Sequence, residues 1–310
     1  VLVSIEHYSL DSMKRFYSVM FAASVIILIA SFGVLKVWGL NWGVDFTGGS
    51  ILEVQFSERP ANDDVIKAIA QLDGKSYLDI TVSPSGDSET IIRSGPLSET
   101  EHQALLEGLT KAFPTTTITE VRFDSIGPAL GDELVQKSKL AIFILLTAVL
   151  VYIAWMFRTL SRSLSLWAMT AGTLLGLAHD IIIPMGVFAV LGHFYDVQIT
   201  GIYVAAILTI LGYTVSDKVV IYDRVRENIL RGSKLSLPDL VHESVMQTLV
   251  RSINNTLVVI LSSLAVFLFG GDSIKYFALA LMLGIGMGAY SSIFIASPVL
   301  VWMSRRNKSR

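Results

Sequence analysis

Long apolar segments separated by shorter polar stretches dominate the pattern along this chain. Six are long enough to cross a bilayer, because about 30 Å of hydrocarbon requires roughly 20 helical residues. They lie near Phe16–Trp38, Leu140–Phe157, Leu164–Leu191, Ile199–Tyr222, Thr248–Phe269 and Ile274–Met303. The third and the sixth are longer than needed, and Pro184 with Gly186 in one and Pro298 in the other predict bends there.

Residues 39–139, between the first two apolar segments, show a mixed pattern. Apolar alternation predicts strands at Ile51–Phe56, Tyr77–Val82, Thr90–Arg93 and Thr116–Phe123. Helices are predicted at Pro60–Leu72 and from the capping box Ser98–Glu101 to Phe113, with a turn at Ser83–Asp87. Because the order βαββαβ is that of a split βαβ unit, we expect a ferredoxin-like α/β domain.

A second polar stretch, residues 223–247, separates the fourth and fifth segments. It opens with Asp223, Arg224, Arg226 and Glu227, and Pro238 precedes an amphipathic run to Met246. This pattern predicts a short pair of helices on the membrane surface.

Composition agrees with a membrane protein, since 52% of the residues are hydrophobic and 16% are charged. Soluble domains carry about a quarter charged residues. The net charge of −2 and the lack of a large acidic or basic tail give no indication of nucleic acid binding. The sequence has no Cys, so an exported domain must be stabilised by its own core.

Lys and Arg indicate the orientation of the segments. Among the short connections and chain ends, they occur before the first segment, at Arg158 and Arg162, in 223–247 and after the sixth, but not in the loops 192–198 and 270–273. We therefore predict that both termini are cytoplasmic. The predicted organisation is a cytoplasmic start and first span (1–38), an extracytoplasmic domain (39–139), spans two to six with the cytoplasmic loop 223–247 (140–304), and a basic tail (305–310).

Ionisable residues inside apolar segments cost roughly 2.5 to 3.5 kcal/mol on insertion scales and so mark candidate functional positions. Asp217 and Arg251 lie at similar depths in the fourth and fifth spans, which predicts an ion pair, and Asn254 and Asn255 would extend a polar patch. Asp217 would take up a proton when the pair separates. The alternative is a static pair that fixes helix packing.

Asp180 ends a row of small residues spaced four apart on the third span, which contains Ala168, Gly172 and Gly176. The sixth span has a similar row, at Ala280, Gly284, Gly288, Ser292 and Ala296. Such rows allow close helix contact, so Asp180 should point into an interface, as a proton relay or as a packing hydrogen bond. His179 is expected to face elsewhere. Lys218 points about 100° away from Asp217 around the helix and so is not its direct partner; the two options for its side chain are extension towards the membrane surface and contact with a partner subunit.

The run Gly43–Ser50 lacks the Gly-Lys-Ser/Thr ending of a phosphate loop, so it predicts flexible glycines and not a nucleotide site. We find no catalytic or metal-ligating arrangement at a useful spacing. The sequence therefore predicts neither an enzyme nor a cofactor or metal site.

Several motifs resemble the SecD/SecF family of the bacterial Sec protein translocase, within the RND superfamily, and in particular its SecF subunits. They are GVDFTGGS at 43–50, SIGPALGDEL at 125–134, LAHDIII at 177–183, LGYTVSDKVVIYDRVREN at 211–228, QTLVRSINN at 247–255 and FGGD at 269–272. The resemblance implies a six-span half-transporter whose proton-linked residues fall on Asp217, Arg251 and Asp180. Lys218 departs from the small polar residue more common in the family.

The resemblance also implies location, partners and activity. It places the chain in the bacterial cytoplasmic (inner) membrane, pairs it with SecD as a heterodimer or a fused chain, and implies contact with SecYEG, a YajC-like subunit and an unfolded exported polypeptide. Proton flow would drive late steps of export. The alternatives are an RND-related half-exporter of lipid or small molecules, and a structural scaffold in which Asp217 and Arg251 tolerate neutral replacement.

Overall fold

A computed structural model describes residues 10–72, 80–85, 88–158 and 165–307 of the chain. The chain divides into two compact units. One, the helical unit, comprises Val1–Asn41, Ala141–Val197 and Ile202–Arg310. The other, the α/β unit, comprises Trp42–Leu140 and Gln198–Gly201.

The α/β unit contains a four-stranded antiparallel sheet. Its elements are α2 (Val44–Thr47), β1 (Gly49–Phe56), α3 (Asn62–Ala70), β2 (Thr81–Ser85), β3 (Glu89–Ser94), α4 (Glu99–Ala112) and β4 (Ile118–Ile126). The strand order is β2-β3-β1-β4, so β3 lies between the two strands that α3 connects. This is the split βαβ arrangement, and the predicted ferredoxin-like fold is confirmed.

The predicted turn between the middle strands begins later than expected. Ser83 to Ser85 continue β2, and Pro84 lies opposite Thr90 of β3. Proline has no backbone N–H, but β2 is an edge strand with no neighbouring strand on its outer side. Pro84 therefore fits there without the loss of a hydrogen bond between strands. The remaining turn residues, 86 and 87, and residues 77–79 of the predicted strand lie outside the described residues.

An apolar core and a capped helix stabilise this unit. The Ser98 side chain accepts a hydrogen bond from the Glu101 N–H, and the Glu101 carboxylate accepts one from the Ser98 N–H at 2.8 Å, which confirms the capping box. The buried core consists of Leu52, Val54, Phe56, Val65, Ile69, Ile92, Leu97, Leu105 and Leu109. These side chains come from α3, α4, the inner face of the sheet and, at Leu97, the loop before α4, so the unit has an apolar core of its own.

The run Gly43–Ser50 is ordered, and the prediction of flexible glycines is wrong. Gly48 and Gly49 have φ angles of 72° and 139°, which disfavour residues with a side chain. A Cβ atom at Gly48 would also lie 2.9 Å from Pro128 Cα. The Asp45 carboxylate accepts a hydrogen bond from the Gly201 N–H at 2.6 Å. The glycines therefore allow close backbone packing within the α/β unit.

The helical unit is formed by long apolar helices. They are α1 (Leu10–Val37), α5 (Pro128–Met156), α6 (Leu166–Tyr195), α7 (Gly201–Leu230), α8 (Leu237–Phe269), α9 (Asp272–Ser291) and α10 (Ser297–Asn307), with a π turn at Ser292–Ala296 between the last two. Within the described residues, six helical stretches are long and apolar enough to cross a membrane, and α9 to α10 form the sixth. The chain is thus a multi-pass membrane protein.

Residues 223–247 do not form a surface helix pair. Helix α7 continues to Leu230 and α8 begins at Leu237, so the connection is short. The Asn228 side-chain amide donates hydrogen bonds to Ser244 Oγ at 2.9 Å and to Gln247 Oε1 at 3.0 Å, and Arg224 Nε donates to the same Gln247 oxygen at 2.5 Å. The polar residues extend the two helices because they bind one another across the helix pair. We call these contacts the α7–α8 lock.

The two prolines differ in their surroundings. Helix α6 continues through Pro184, whereas the π turn lies directly before Pro298. Ser297 Oγ donates to the Ser292 carbonyl at 2.8 Å. Because proline lacks an N–H, it leaves a carbonyl without its usual partner, and a widened turn accommodates this irregularity.

Candidate functional site

The two rows of small residues pack around α7. A Cβ atom at Gly176 of α6 would collide with the Lys218 stem, and one at Gly172 would lie 2.7 Å from the Tyr222 hydroxyl oxygen. On α9, a Cβ at Gly284 or Gly288 would collide with α7 side chains in the same way. The expected close helix contact is confirmed, and it places the middle of α7 in a buried environment.

Replacing Gly176 with Ala is expected to destabilise the helical unit by about 1 to 3 kcal/mol, because an added methyl group overpacks a filled interface. The matched control is Gly212→Ala, on α7, where an added Cβ meets no atom within 4 Å. Thermal unfolding of the purified protein in detergent measures both variants. Equal midpoints for the two would contradict the tight packing described here.

A buried ion pair lies at this interface. Lys218 Nζ is 2.7 Å from Asp180 Oδ2, and both side chains are 0% exposed. Lys218 Nζ also donates to the Thr214 carbonyl oxygen at 3.3 Å. The expectation that Lys218 reaches the membrane surface or a partner is therefore wrong. Gly176 leaves room for its stem, so the side chain extends into the protein instead.

His179 belongs to the same cluster, although it was expected to face elsewhere. Its Nδ1 atom is 3.4 Å from Asp180 Oδ1, and its side chain is buried. The imidazole stacks on the Tyr290 ring with a centroid distance of 5.9 Å. The Tyr290 hydroxyl donates to the Met20 carbonyl at 2.8 Å. Polar contacts and one ring contact thus connect α7 through α6 and α9 to α1.

Asp217 is buried beside this cluster but is not part of its ion pair. Its side chain lies near Ser252 of α8 and, at longer range, near the charged groups of Lys218 and Asp180. The residue is 6% exposed, and its Oδ2 atom has no hydrogen-bond partner within the described part of the chain. Among the described residues, Asp180 therefore has a counter-ion, whereas the Asp217 carboxyl group has none.

Arg251 does not pair with Asp217 in this structure. Arg251, Asn254 and Asn255 are exposed, and no ion pair joins Asp217 to Arg251 among the described residues. The depth of a residue in its span does not determine which way its side chain points, because successive residues differ by about 100° around a helix. The ion-pair prediction is wrong for this conformation, while the proposed proton-relay roles of Asp217, Arg251 and Asp180 stay predictions.

The inward face of α8 carries residues that the sequence argument missed. Thr248, Ser252 and Thr256 are buried and spaced four apart. This spacing of small hydroxyl residues was the available signal, because it resembles the small-residue rows of the third and sixth spans. It would have indicated that Ser252, and not Arg251, faces α7.

The cluster is suited to holding a proton. Asp180, Asp217 and Lys218 together have a net charge of −1 when all three are ionised, and one bound proton makes the sum zero. Net charge is costly in a poorly solvated interior. Within the described residues, no group of three His, Cys, Asp or Glu side chains is placed to bind a metal ion.

Comparisons with known proteins give a consistent result. The family model described as protein export membrane protein SecD/SecF, C-terminal, matches residues 106–306, and the SecD/SecF GG motif matches residues 39–58. The protein translocase subunit SecF of Vibrio alginolyticus is 37% identical over 287 residues, which cover 91% of this chain and 86% of that protein.

Two relatives contain a longer chain. The protein translocase subunit SecDF of Brucella abortus is 34% identical over 285 residues, which cover 92% of this chain but 35% of that protein. The crystal structure of SecDF from Thermus thermophilus, described as a translocon-associated membrane protein, superposes with a TM-score of 0.82 at 28% identity. The superposition covers 99% of this chain and 40% of that one.

Proposed function

Because this chain belongs to the SecD/SecF family of protein export membrane proteins, we propose that it is a translocase subunit that couples proton flow to protein export. The observation that carries the proposal is the buried acid Asp217, which has no counter-ion in the part of the chain that the structure describes but lies beside a second acid and a lysine. Ionisable groups at membrane depth are retained where they bind ions or protons.

The partner proposed for this subunit is SecD. In the SecDF proteins of Brucella abortus and Thermus thermophilus, the part similar to this chain lies within a longer polypeptide. Contact with SecYEG and with the exported polypeptide extends the same proposal. The distribution of Lys and Arg supports cytoplasmic termini and an extracytoplasmic α/β unit. Membership of a family of protein export membrane proteins supports a position in the inner membrane.

Asp217 is the proton-binding group in the proposed cycle. In the conformation described here its carboxyl group is buried and carries the proton, because no cation compensates its charge among the described residues. Arg251 provides that cation in a second conformation, in which α8 shifts relative to α7 and the long Arg251 side chain reaches the acid. Proton binding and release then favour different arrangements of the helices.

The energy available is sufficient for such coupling. Moving one elementary charge across the membrane is worth about 2.3 kcal/mol per 100 mV. Since about 1.4 kcal/mol changes an equilibrium tenfold, one proton shifts a conformational equilibrium by tens-fold. This free-energy bias would act on α1 and α5, the helices that precede and follow the strands of the α/β unit along the chain.

The proposed function is tested in vesicles that contain SecYEG, SecD, the Sec ATPase and this chain. Export of a model preprotein is measured with an imposed proton gradient and after a protonophore collapses it. We expect the gradient to accelerate the completion of export when this chain is present. An equal response in vesicles without it would contradict the proposal.

A further inference from the structure

Helix α7 joins the two units along the chain, because its first residue belongs to the α/β unit. That unit includes Gln198–Gly201, whereas the helical unit resumes at Ile202. Helix α7 begins at Gly201 and contains Asp217, which lies about 24 Å further along the helix at 1.5 Å per residue. Contacts made at Gly201 therefore act on the helix that carries the proposed proton-binding group.

Residues 42–45 bind the segment that leads into α7. The Gly43 N–H donates to the Ile199 carbonyl at 2.8 Å, and Trp42 forms a parallel β-bridge with Ile199. The Asp45 carboxylate accepts the 2.6 Å hydrogen bond from the Gly201 N–H. A Cβ atom at Gly43 would lie 3.0 Å from the Ile199 carbonyl oxygen, so glycine favours this close approach. The start of α7 is thus held at three successive positions of this segment.

The turn that carries Asp45 is packed against the rest of the α/β unit. Asp45 lies in α2, which leads directly into β1. A Cβ atom at Gly131 of α5 would lie 2.9 Å from the Phe46 carbonyl oxygen, and one at Gly49 would lie 2.8 Å from the Ser94 carbonyl oxygen of β3. Asp45 is therefore fixed relative to the sheet, and its bond to Gly201 joins the sheet to α7.

Asp45 caps this helix from a distance. The first N–H groups of a helix lack partners within it, and the residue directly before the helix commonly provides a side-chain acceptor. Thr200 occupies that position and is of a residue type that caps helices. The acceptor for the Gly201 N–H is a carboxylate 156 residues away in sequence, which lies at the positive end of the helix dipole. Stability of the helix end alone does not require a distant acid.

We propose that Asp45 couples the α/β unit to α7, so that the unit follows the helix when Asp217 gains or loses its proton. The inference rests on the proposed function and adds a positioning residue to it. A carboxylate accepts a charge-assisted hydrogen bond, which is shorter and stronger than a bond between neutral groups. The connection from α6 to α7 consists only of residues 196–200, so a displacement of α7 reaches the sheet through Asp45.

Two variants separate helix capping from coupling. Asp45→Ala removes the bond to Gly201, and adding Thr200→Asp supplies a carboxylate from the residue next to the helix. If Asp45 only caps α7, the double variant regains both its thermal midpoint in detergent and its gradient-driven export. We expect it to regain the midpoint but to export about tenfold more slowly than the unmodified chain, a coupling within the usual range. Normal export by the double variant would overturn the inference.

The matched control is Asp63→Ala, which removes an exposed acid from the first turn of α3 in the same unit. This variant should export at a nearly normal rate. A loss as large as that of Asp45→Ala would show that removing any helix-capping charge from this unit slows export, and would contradict a specific role for Asp45.

A second measurement follows the movement itself and does not rely on export. The sequence has no Cys, so spin labels can be attached at Lys111→Cys in the α/β unit and at Lys234→Cys in the helical unit, both at exposed positions. In the complex with SecD in vesicles, we expect the distance between the labels to change when a proton gradient is imposed. The change should disappear in Asp45→Ala and in the double variant. An equal change with and without Asp45 would overturn the inference.

These results separate the inference from the proposed function. Full export by Asp217→Asn would defeat both. Loss of export in Asp217→Asn together with normal export in the double variant would leave Asp217 as the proton-binding group and remove Asp45 from the coupling.

Discussion

Replacing Asp217 with Asn is expected to lower gradient-driven export by about a hundredfold or more, because a positioned proton acceptor contributes roughly 10² to 10⁴ in rate. Asparagine has nearly the same shape as aspartate and can still contact Ser252, but it cannot bind and release a proton. Assembly should be preserved, since the substitution introduces no buried charge. The measurement is preprotein export into vesicles with and without the gradient.

The matched control for this variant is Asp223→Asn, on the same helix. Asp223 is half-exposed and pairs with Arg226 at 3.1 Å within one helical turn. Such pairs contribute about 0 to 1 kcal/mol, so this variant should export at a nearly normal rate. Comparable export by Asp217→Asn and Asp223→Asn would refute a proton-binding role for Asp217.

Removing the lysine alone is expected to have the largest effect on stability. Lys218→Met leaves the Asp180 carboxylate buried without its counter-ion, and breaking a buried ion pair on one side costs about 3 to 5 kcal/mol. Little of the variant should accumulate as an assembled complex. The amount of complex in membranes and its thermal midpoint in detergent measure this loss.

Rescue of this variant distinguishes a charge effect from a shape effect. Adding Asp180→Asn to Lys218→Met removes the unpaired charge without changing the methionine, so the amount of complex should return towards normal. If the double variant remained as unstable as Lys218→Met, the loss would come from packing of the stem against Gly176 and not from the charge.

Most of the fold could be predicted from the sequence because burial is encoded locally in each element. The apolar lengths indicated six spans, and alternation with the Ser98 capping box indicated the strands and helix of the α/β unit. The exceptions depended on contacts distant in sequence. The order in the Gly43–Ser50 run, for example, requires Pro128 and Gly201 as neighbours.

The buried acids of the candidate site could be predicted from the sequence, but the side chains with which they pair could not. The free-energy cost of burying a charged group marked Asp180 and Asp217 as candidate functional residues, and both are buried in the structure. Their partners depend on the rotation of each helix about its axis, which an apolar helix does not reveal when most of its faces are hydrophobic. Because this rotation was unknown, Arg251 was wrongly predicted to face Asp217, and the contact of Lys218 with Asp180 was not predicted.

The α7–α8 lock constrains how Arg251 can approach the acid. Hydrogen bonds of Asn228 and Arg224 fasten the two helices near one end, whereas Asp217 lies about 10 Å beyond Arg224 along α7 at 1.5 Å per residue. A fastened end acts as a pivot, and displacement grows with distance from it. A change of about ten degrees between the helices would therefore move side chains near Asp217 by roughly 2 Å, yet leave the pivot intact.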